Sequence, residues 1–218
     1  MTAITGVTTV LFDLDGTLSD SAPGILTSLR NAFGELDLAW LDDDAARALL
    51  GPPFYLTLPP LVGADRVADV IARYRRHYVD GGGMFDTAVY DGMAEVVRAL
   101  SARGLRLAVA TSKPEVHAAT ILEHLGLRQH FDTVGGDTLD GARDSKALVV
   151  GEVLRRLGEP DPATVLMVGD RSHDVAGAGA HGVSCAGVLW GYGSAAELTA
   201  AGARTLAEHP AELLALIG

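Results

Sequence analysis

Two aspartates one residue apart, Asp13 and Asp15, follow an apolar run over residues 7–12 and stand directly before Gly16 and Thr17. The run is rich in β-branched residues, which is typical of a fully buried strand in a parallel sheet. Ligands of open α/β sheets bind beyond the carboxyl ends of the strands, where these acids stand. Such a pair can bind a hard cation and can place a nucleophile beside a proton donor. The alternative is a strand that ends in a solvated Asp-Gly turn.

Lysine use marks two further positions. Of the 17 basic residues only Lys113 and Lys146 are lysines, and the rest are arginines. A compact ammonium differs chemically from a planar guanidinium, so both lysines are candidates for a site. Lys113 follows Thr111 and Ser112 at the end of a second apolar run, over residues 105–110, whereas Lys146 begins a helical stretch. For Lys113 a chance occurrence in an arginine-rich chain stays open.

A third apolar run, over residues 164–168, also leads into carboxylates. Asp170 and Asp174 follow it, before a segment rich in glycine and alanine. If the three runs are parallel strands, their ends lie at one edge of the sheet. The sequence therefore predicts a site that combines two acid pairs, a hydroxyl pair and a lysine.

The chain resembles the haloacid dehalogenase superfamily, and more narrowly its phosphoglycolate phosphatase branch. The resemblance rests on four motifs in the family's order: Asp13-Leu14-Asp15-Gly16-Thr17, Thr111-Ser112-Lys113-Pro114, Lys146, and Gly169-Asp170-Arg171-Ser172-His173-Asp174. The segment from residue 187 to 203 is also similar to that branch. The resemblance implies a Rossmann-like three-layer α/β core with a parallel sheet, and a small α-helical cap domain inserted after the first strand. It also implies a phosphomonoester hydrolase.

The resemblance implies a role for each acidic residue of the first motif. Asp13 is expected to be the nucleophile, which forms an aspartyl-phosphate intermediate. Asp15 is expected to protonate the leaving alcohol and then to activate the hydrolytic water. Lys146 is expected to neutralise charge between Asp13 and the phosphate.

Mg²⁺ is the cofactor that the resemblance implies. Its expected ligands are the Asp13 carboxylate, the Asp15 backbone carbonyl and the Asp170 carboxylate. Asp174 is expected to act through water or from the outer shell, and the alternative is that it simply caps the following helix.

Other residues are expected to contact the substrate. Gly16 allows the backbone to approach the phosphate closely, and the Thr111 hydroxyl and Ser112 amide are expected to bind phosphoryl oxygens at a helix N-terminus. Lys113 either lines the pocket or is a surface lysine. Phe54 lies in a segment similar to the substrate-facing part of the cap in this branch, and the alternative is packing in the cap core.

The predicted α/β core comprises residues 1–17 and 88–218, and the helical cap comprises residues 18–87. Strand and helix alternate in the core, with strands predicted over residues 7–12, 105–110, 131–134, 164–168 and 183–188. The insert has no convincing strand; its first helix begins after Ser21, a candidate N-cap residue, and Asp42 to Asp44 mark another helix start. The triple glycine, residues 81–83, is a candidate hinge or a plain loop.

Composition bounds the function classes. The net charge of −11 argues against a nucleic-acid surface, and no apolar run is long enough for a membrane helix. A secretory signal is not evident, so we predict a cytoplasmic location. Cys185 is expected to be a small buried hydrophobe. The expected partner is a small phosphate ester, with no nucleic acid or membrane, for a monomer or weak homodimer.

Phosphoglycolate-like esters are the expected substrates, and several alternatives remain. A 5′-nucleotidase, a pyrophosphatase and a sugar phosphomutase share the same core. From a different class, a phospho-accepting signalling protein also combines Asp, Thr or Ser, and Lys. Such receivers are shorter and lack both a helical insert and the Asp-x-Asp-Gly-Thr motif. A scaffold that has lost catalysis is disfavoured by the four intact motifs.

Overall fold

A computed structural model describes residues 4–218, so that residues 1–3 of the predicted α/β core lie outside the described residues. The chain divides into two compact units. The α/β unit contains the described residues up to Ser19 together with Val89–Gly218, and the helical unit contains Asp20–Ala88. The passages between the units therefore lie within two residues of the boundaries predicted at 17/18 and 87/88.

Strands along the described chain are β1 (Thr9–Phe12), β2 (Ser19–Asp20), β3 (Ala88–Val89), β4 (Arg106–Pro114), β5 (Thr133–Asp137), β6 (Val165–Gly169), β7 (Ser184–Val188) and β8 (Thr205–Ala207). Six of them form a sheet in the order β5-β4-β1-β6-β7-β8, and every pair is parallel. The predicted α/β fold with a parallel sheet is confirmed. β1 is central, since Thr9 pairs with Arg106 on one side and with Val165 on the other.

Helices of the α/β unit are α6 (Met93–Ala102), α7 (Glu115–His124), α8 (Lys146–Arg156), α9 (Ser172–Gly179), α10 (Ala195–Ala201) and α11 (Glu212–Leu216). One core cluster joins strand residues such as Leu11 and Met167 to apolar residues of α8 and α9. Because neighbouring residues of a strand point to opposite faces, Val10 and Phe12 are buried on the other face of the sheet. Cys185 belongs to the core cluster and is buried, as predicted.

Several element boundaries differ from the predictions. β4 continues to Pro114, past the predicted end at residue 110, through an irregularity in its register with β5. β8 was not predicted, because three residues that begin with a half-buried threonine give a weak apolar signal. α9 begins at Ser172, two residues before Asp174, so that the possible cap residue lies inside the first turn of the helix.

The helical unit contains α1 (Ala22–Glu35), α2 (Asp43–Arg47), α3 (Phe54–Thr57), α4 (Pro59–Val62) and α5 (Val67–Arg75), followed by a π-helical turn over Arg76–Asp80. Its core comprises Leu29, Phe33, Leu49, Leu58, Val67 and Val70. The Asp42 side chain caps α2 by accepting the Ala45 N–H at 2.8 Å, as the acidic run predicted. Ser21 occupies the N-cap position of α1, as predicted, but its side chain makes no capping hydrogen bond.

Short strands also occur at both ends of the insert, where none was predicted. β2 and β3 pair with each other in a two-stranded sheet of their own, at the two passages of the chain between the units.

The triple glycine lies inside the helical unit. A Cβ atom on Gly24 of α1 would overlap the Gly83 carbonyl, and a Cβ atom on Gly83 would overlap the Ser28 hydroxyl. Glycine at these two positions therefore permits a close approach of the loop to α1. The candidate hinge is thus a packed segment, and the passages between the units lie elsewhere.

Across the described part of the chain, every helix is too short or too polar to cross a bilayer.

Candidate active site

The carboxyl end of β1 places Asp13 in a buried position. Its backbone N–H donates to the Val168 carbonyl of β6 at 3.0 Å, which continues the strand pairing by one residue. Its Oδ1 accepts the Leu14 N–H at 2.8 Å. The following turn requires a left-handed residue, and Gly16 supplies it with φ of 86°. The backbone thus fixes the Asp13 carboxylate at the strand edge.

Lys146 is the first residue of α8, whose N-terminus is capped by Ser145. Its ammonium lies 2.9 Å from Asp13 Oδ1 and 2.8 Å from Asp174 Oδ1, and it donates to the Ala110 carbonyl of β4 at 3.0 Å. Burial alone lowers the pKa of this lysine, but Asp13 and Asp174 raise the pKa more, so that the group remains charged. Lys146 therefore links the end of β1, the backbone of β4 and the first turn of α9 through one buried cation.

Asp13, Asp170 and Asp174 converge, with one carboxylate oxygen of each within 4.8 Å of the others. Asp170 is fully buried, where its Oδ2 accepts the Tyr192 N–H at 2.7 Å and its Oδ1 accepts the Thr17 hydroxyl at 3.3 Å. The acids that follow β1 and β6 thus lie together at one edge of the sheet.

Asp174 performs two tasks that the sequence presented as alternatives. Its Oδ2 accepts the Arg171 N–H at 3.0 Å, which satisfies an amide at the start of α9. Its Oδ1 pairs with Lys146 and faces the acidic cluster. The residue is therefore both a helix cap and a member of the cluster.

Electrostatics of the cluster favour a bound cation. Burial raises the pKa of Asp13 even though Lys146 opposes the effect. Burial and the neighbouring Asp174 and Asp13 raise the pKa of Asp170 to about 8. Positive charge at the cluster would reverse both effects, and clustered carboxylate oxygens are the donors that hard divalent cations prefer. The donor set thus fits a divalent metal ion.

Lys113 is buried and lies at the same edge of the sheet. Its ammonium is 3.0 Å from Asp15 Oδ2, and its backbone N–H donates to the Thr111 hydroxyl at 3.3 Å. Thr111 is buried, and Ser112 between them is half-buried. The structure therefore brings the hydroxyl pair and the lysine beside the acid pair, and the interpretation of Lys113 as a surface lysine is wrong.

Phe54 lies in the helical unit. Its ring packs edge-on against Tyr74 with 4.8 Å between centroids, and Tyr74 stacks on Tyr78. Phe54 is thus an outer member of the helical core, the second of the two interpretations of this residue.

Sequence reasoning noted the similarity of residues 187–203 to the phosphatase branch but assigned no role to three residues there that contact the site. The Trp190 indole donates to the Thr17 carbonyl at 3.0 Å, the Tyr192 amide binds Asp170, and Glu197 accepts the Ser172 N–H at 2.8 Å. The signal available was the glycine-rich segment over residues 187–193, because side chains at Gly191 and Gly193 would overlap Asp170. These residues follow β7, the neighbour of β6 in the sheet.

Residues 10–188 match the model of the haloacid dehalogenase-like hydrolase family. The tyrosine-protein kinase PtkA of Mycobacterium tuberculosis is 43% identical over 186 residues, which are 85% of this chain and 63% of that protein. This chain thus spans less than two thirds of the length of that relative. A solved structure of PtkA has a TM-score of 0.85 and 40% identity, and the likeness covers 97% of this chain and 99% of that one.

Two other relatives carry different names. A 5′-nucleotidase of Pseudomonas aeruginosa is 38% identical over 196 residues, or 88% of this chain and 86% of that protein. A phosphoglycolate phosphatase of Rhodospirillum rubrum is 39% identical over 196 residues, or 84% and 80%. These likenesses confirm the resemblance and the fold predicted from the four motifs.

Proposed function

Because the chain belongs to the haloacid dehalogenase-like hydrolases, and its relatives include phosphatases, we propose that it hydrolyses a small phosphate monoester with Mg²⁺. The observation that carries the proposal is the convergence of Asp13, Asp170 and Asp174 around buried Lys146. Phosphoryl transfer needs a nucleophile in line and positive charge on the transferred group. This edge of the sheet offers both.

Asp13 acts as the nucleophile in this proposal. Lys146 and the Leu14 amide both bind its Oδ1, which fixes the orientation of the carboxylate. A carboxylate oxygen attacks phosphorus, the bond to the ester oxygen breaks, and an aspartyl phosphate forms. Held in this way, the nucleophile loses little conformational freedom at the moment of reaction.

Asp15 moves the proton. It gives a proton to the leaving alcohol oxygen and then takes one from the water that cleaves the aspartyl phosphate. Its Oδ2 lies 3.0 Å from the Lys113 ammonium, which restricts the position of the carboxyl group. The general acid–base step typically contributes about 10²–10⁴-fold to the rate.

Asp13, Asp170, Asp174 and the Asp15 carbonyl would hold Mg²⁺. When bound, Mg²⁺ supplies positive charge that offsets charge on the phosphoryl oxygens. Thr111, the Ser112 amide and the backbone at Gly16 bind phosphoryl oxygens in this proposal, and Lys146 adds its charge from the other side.

Phosphoglycolate-like esters are the proposed substrates, and 5′-mononucleotides come second. The relatives with these names are 39% and 38% identical to the chain, so identity alone does not separate them. The residues proposed to bind Mg²⁺ and the phosphoryl group lie in the α/β unit and suit either ester, so they do not choose between these substrates.

The test is phosphate release across a panel of esters, with Mg²⁺ and with EDTA. The panel contains phosphoglycolate, sugar phosphates, 5′-mononucleotides, phosphotyrosine and pyrophosphate, and the Asp13→Asn variant serves as the matched control for contaminating phosphatases. Release that requires both Mg²⁺ and Asp13, with one preferred ester, would support the proposal. A folded protein that binds Mg²⁺ but releases no phosphate would contradict it and favour a phosphomutase or a non-catalytic role.

Phosphoryl transfer to a tyrosine hydroxyl is a second candidate, favoured by the 43% identity to PtkA. Here Asp13 would attack the γ-phosphorus of ATP, with ADP leaving, and the phosphorus–oxygen bond to Asp13 would then break as a bond to the tyrosine oxygen forms, while Asp15 takes the hydroxyl proton. Incubation with ATP and a tyrosine-containing peptide tests it. A phosphopeptide that is absent with Asp13→Asn would support this candidate, and free phosphate without phosphopeptide would exclude it.

A further inference from the structure

We propose that Glu197 is a positioning residue for the loop that carries Asp170 and Asp174, and that it thereby sets the affinity of the cluster for Mg²⁺. The inference rests on the proposed metal site and adds to it a residue outside the four motifs. Glu197 does not contact the cluster. It acts through Arg171 and Ser172, which stand between the two acids.

One oxygen of Glu197 holds two groups of this loop. Its Oε1 accepts the Ser172 N–H at 2.8 Å and the Arg171 Nε–H at 3.0 Å. Ser172 is the first residue of α9, whose N-terminal amides have no partners within the helix. Glu197 therefore satisfies an amide that would otherwise lack a protein partner and fixes the neighbouring side chain.

The position of Glu197 is itself well defined. It is the third residue of α10, and its N–H donates to the capping Ser194 hydroxyl at 3.1 Å. Partial burial alone raises its pKa, but the Ser172 amide and Arg171 lower the pKa more, so that the carboxylate is charged near neutral pH. Hydrogen bonds to a charged acceptor are about twice as strong as neutral ones.

Arg171 is held from two sides. Its backbone N–H donates to Asp174 Oδ2, and its side chain binds Glu197. Asp170 directly precedes it, and Asp174 directs its other oxygen to Lys146. A movement of Arg171 would therefore change the distance between Asp170 and Asp174, and a metal site requires that distance to be fixed.

Other contacts of the segment after β7 also fix the position of Asp170. The Tyr192 amide binds Asp170, and Gly193 lies so close to the Asp170 carbonyl that a side chain there would overlap it. These contacts involve backbone atoms, which substitutions do not remove cleanly. Glu197 binds Arg171 and Ser172 through its side chain, so a substitution isolates its contribution.

The experiment is calorimetric titration of the full chain with Mg²⁺, in the absence of substrate. Glu197→Ala should weaken binding by about tenfold or more, the usual effect of removing a partner that orients ligands. Glu197→Gln keeps an oxygen for the Ser172 amide and should restore most of the affinity. Glu95→Ala is the matched control, because Glu95 is also the third residue of its helix, α6, and pairs with an arginine at the surface.

The outcomes separate this inference from the proposed function. A wild-type chain that binds no Mg²⁺ would contradict both. A wild-type chain that binds Mg²⁺, with Glu197→Ala binding equally well, would overturn the role of Glu197 alone. If Glu197→Ala does not fold, Glu197→Asp is the variant to test, since its shorter side chain keeps the charge but cannot reach both the Ser172 amide and Arg171. An unchanged affinity of Glu197→Asp for Mg²⁺ would overturn the inference.

Discussion

The α/β unit and the helical unit differ in how far they bury charged side chains. Among its described residues the α/β unit buries five charged ones, all at the carboxyl edge of its sheet: Asp13, Lys113, Lys146, Asp170 and Asp174. In the described helical unit the buried polar residues are the hydroxyls Ser21 and Ser28, and the ion pairs of Glu35 with Arg73, Arg76 and His77 lie at the surface.

The difference separates what stabilises the fold from what serves function. Buried charges are costly even when paired, so a cluster of them indicates a function that outweighs the cost. Surface ion pairs contribute little and carry no such information. The α/β unit therefore reveals a class of chemistry, whereas the helical unit is informative mainly about its own packing.

The largest expected effect is that of Asp13→Asn. The variant should lose turnover of phosphate esters while it stays folded, because the amide is not a nucleophile for phosphorus. Phosphate release and circular dichroism check the two parts of the prediction. A rate within about tenfold of the wild type would remove Asp13 from the role of nucleophile.

Lys146→Met should reduce both turnover and stability. Removing one partner of a buried ion pair leaves carboxylates uncompensated, which typically costs about 3–5 kcal/mol. Urea denaturation with and without Mg²⁺ measures the loss, and Mg²⁺ should recover part of it. If the variant is as stable as the wild type, the buried charges of the α/β unit cost less free energy than we infer from their burial.

Asp170→Asn should stabilise the metal-free protein. The pKa of Asp170 is raised from 3.8 to about 8 by burial, Asp174 and Asp13, so between these values the folded chain holds a proton that the unfolded chain releases. Stability attributable to this group therefore falls as pH rises through that window. In EDTA the variant should gain about 1–4 kcal/mol near pH 8, and less towards pH 4. An equal gain in stability at every pH would contradict the raised pKa of Asp170. Added Mg²⁺ should stabilise the wild type more than the variant.

Glu35→Gln should have the smallest effect. Glu35 is exposed, and hydrogen bonding from His77 together with Arg76 and Arg73 lowers its pKa. Because solvent screens these pairs, the melting temperature should change by no more than about 2 °C at neutral pH. A larger loss, measured by thermal melting against the wild type, would show that charge also matters structurally in the helical unit.

The sequence predicted the α/β unit better than the helical one, for physical reasons. Buried apolar strands such as β1 give continuous runs, and parallel topology then requires their ends to meet, so Asp13 and Asp170 could be placed together. β8 was not predicted because it is short and half-buried. Ser21 makes no capping hydrogen bond because a residue type permits one without requiring it.

The contacts of Trp190, Tyr192 and Glu197 were beyond sequence reasoning because they depend on how a loop folds back on the end of β6. Tyr192 contributes a backbone amide, a group that every residue but proline carries. Phe54 could not be resolved either, since an aromatic residue serves a helical core and a substrate pocket equally well.

The central place of β1 also bears on how the chain reaches its native state during synthesis. β1 leaves the ribosome before the strands on either side of it, and Thr9 finds its two neighbours only when Arg106 and Val165 have been made. Contacts so distant along the chain slow folding, and an apolar strand awaiting partners is prone to aggregate. The strand that positions Asp13 therefore waits for most of the chain to be synthesised before both of its neighbours are available.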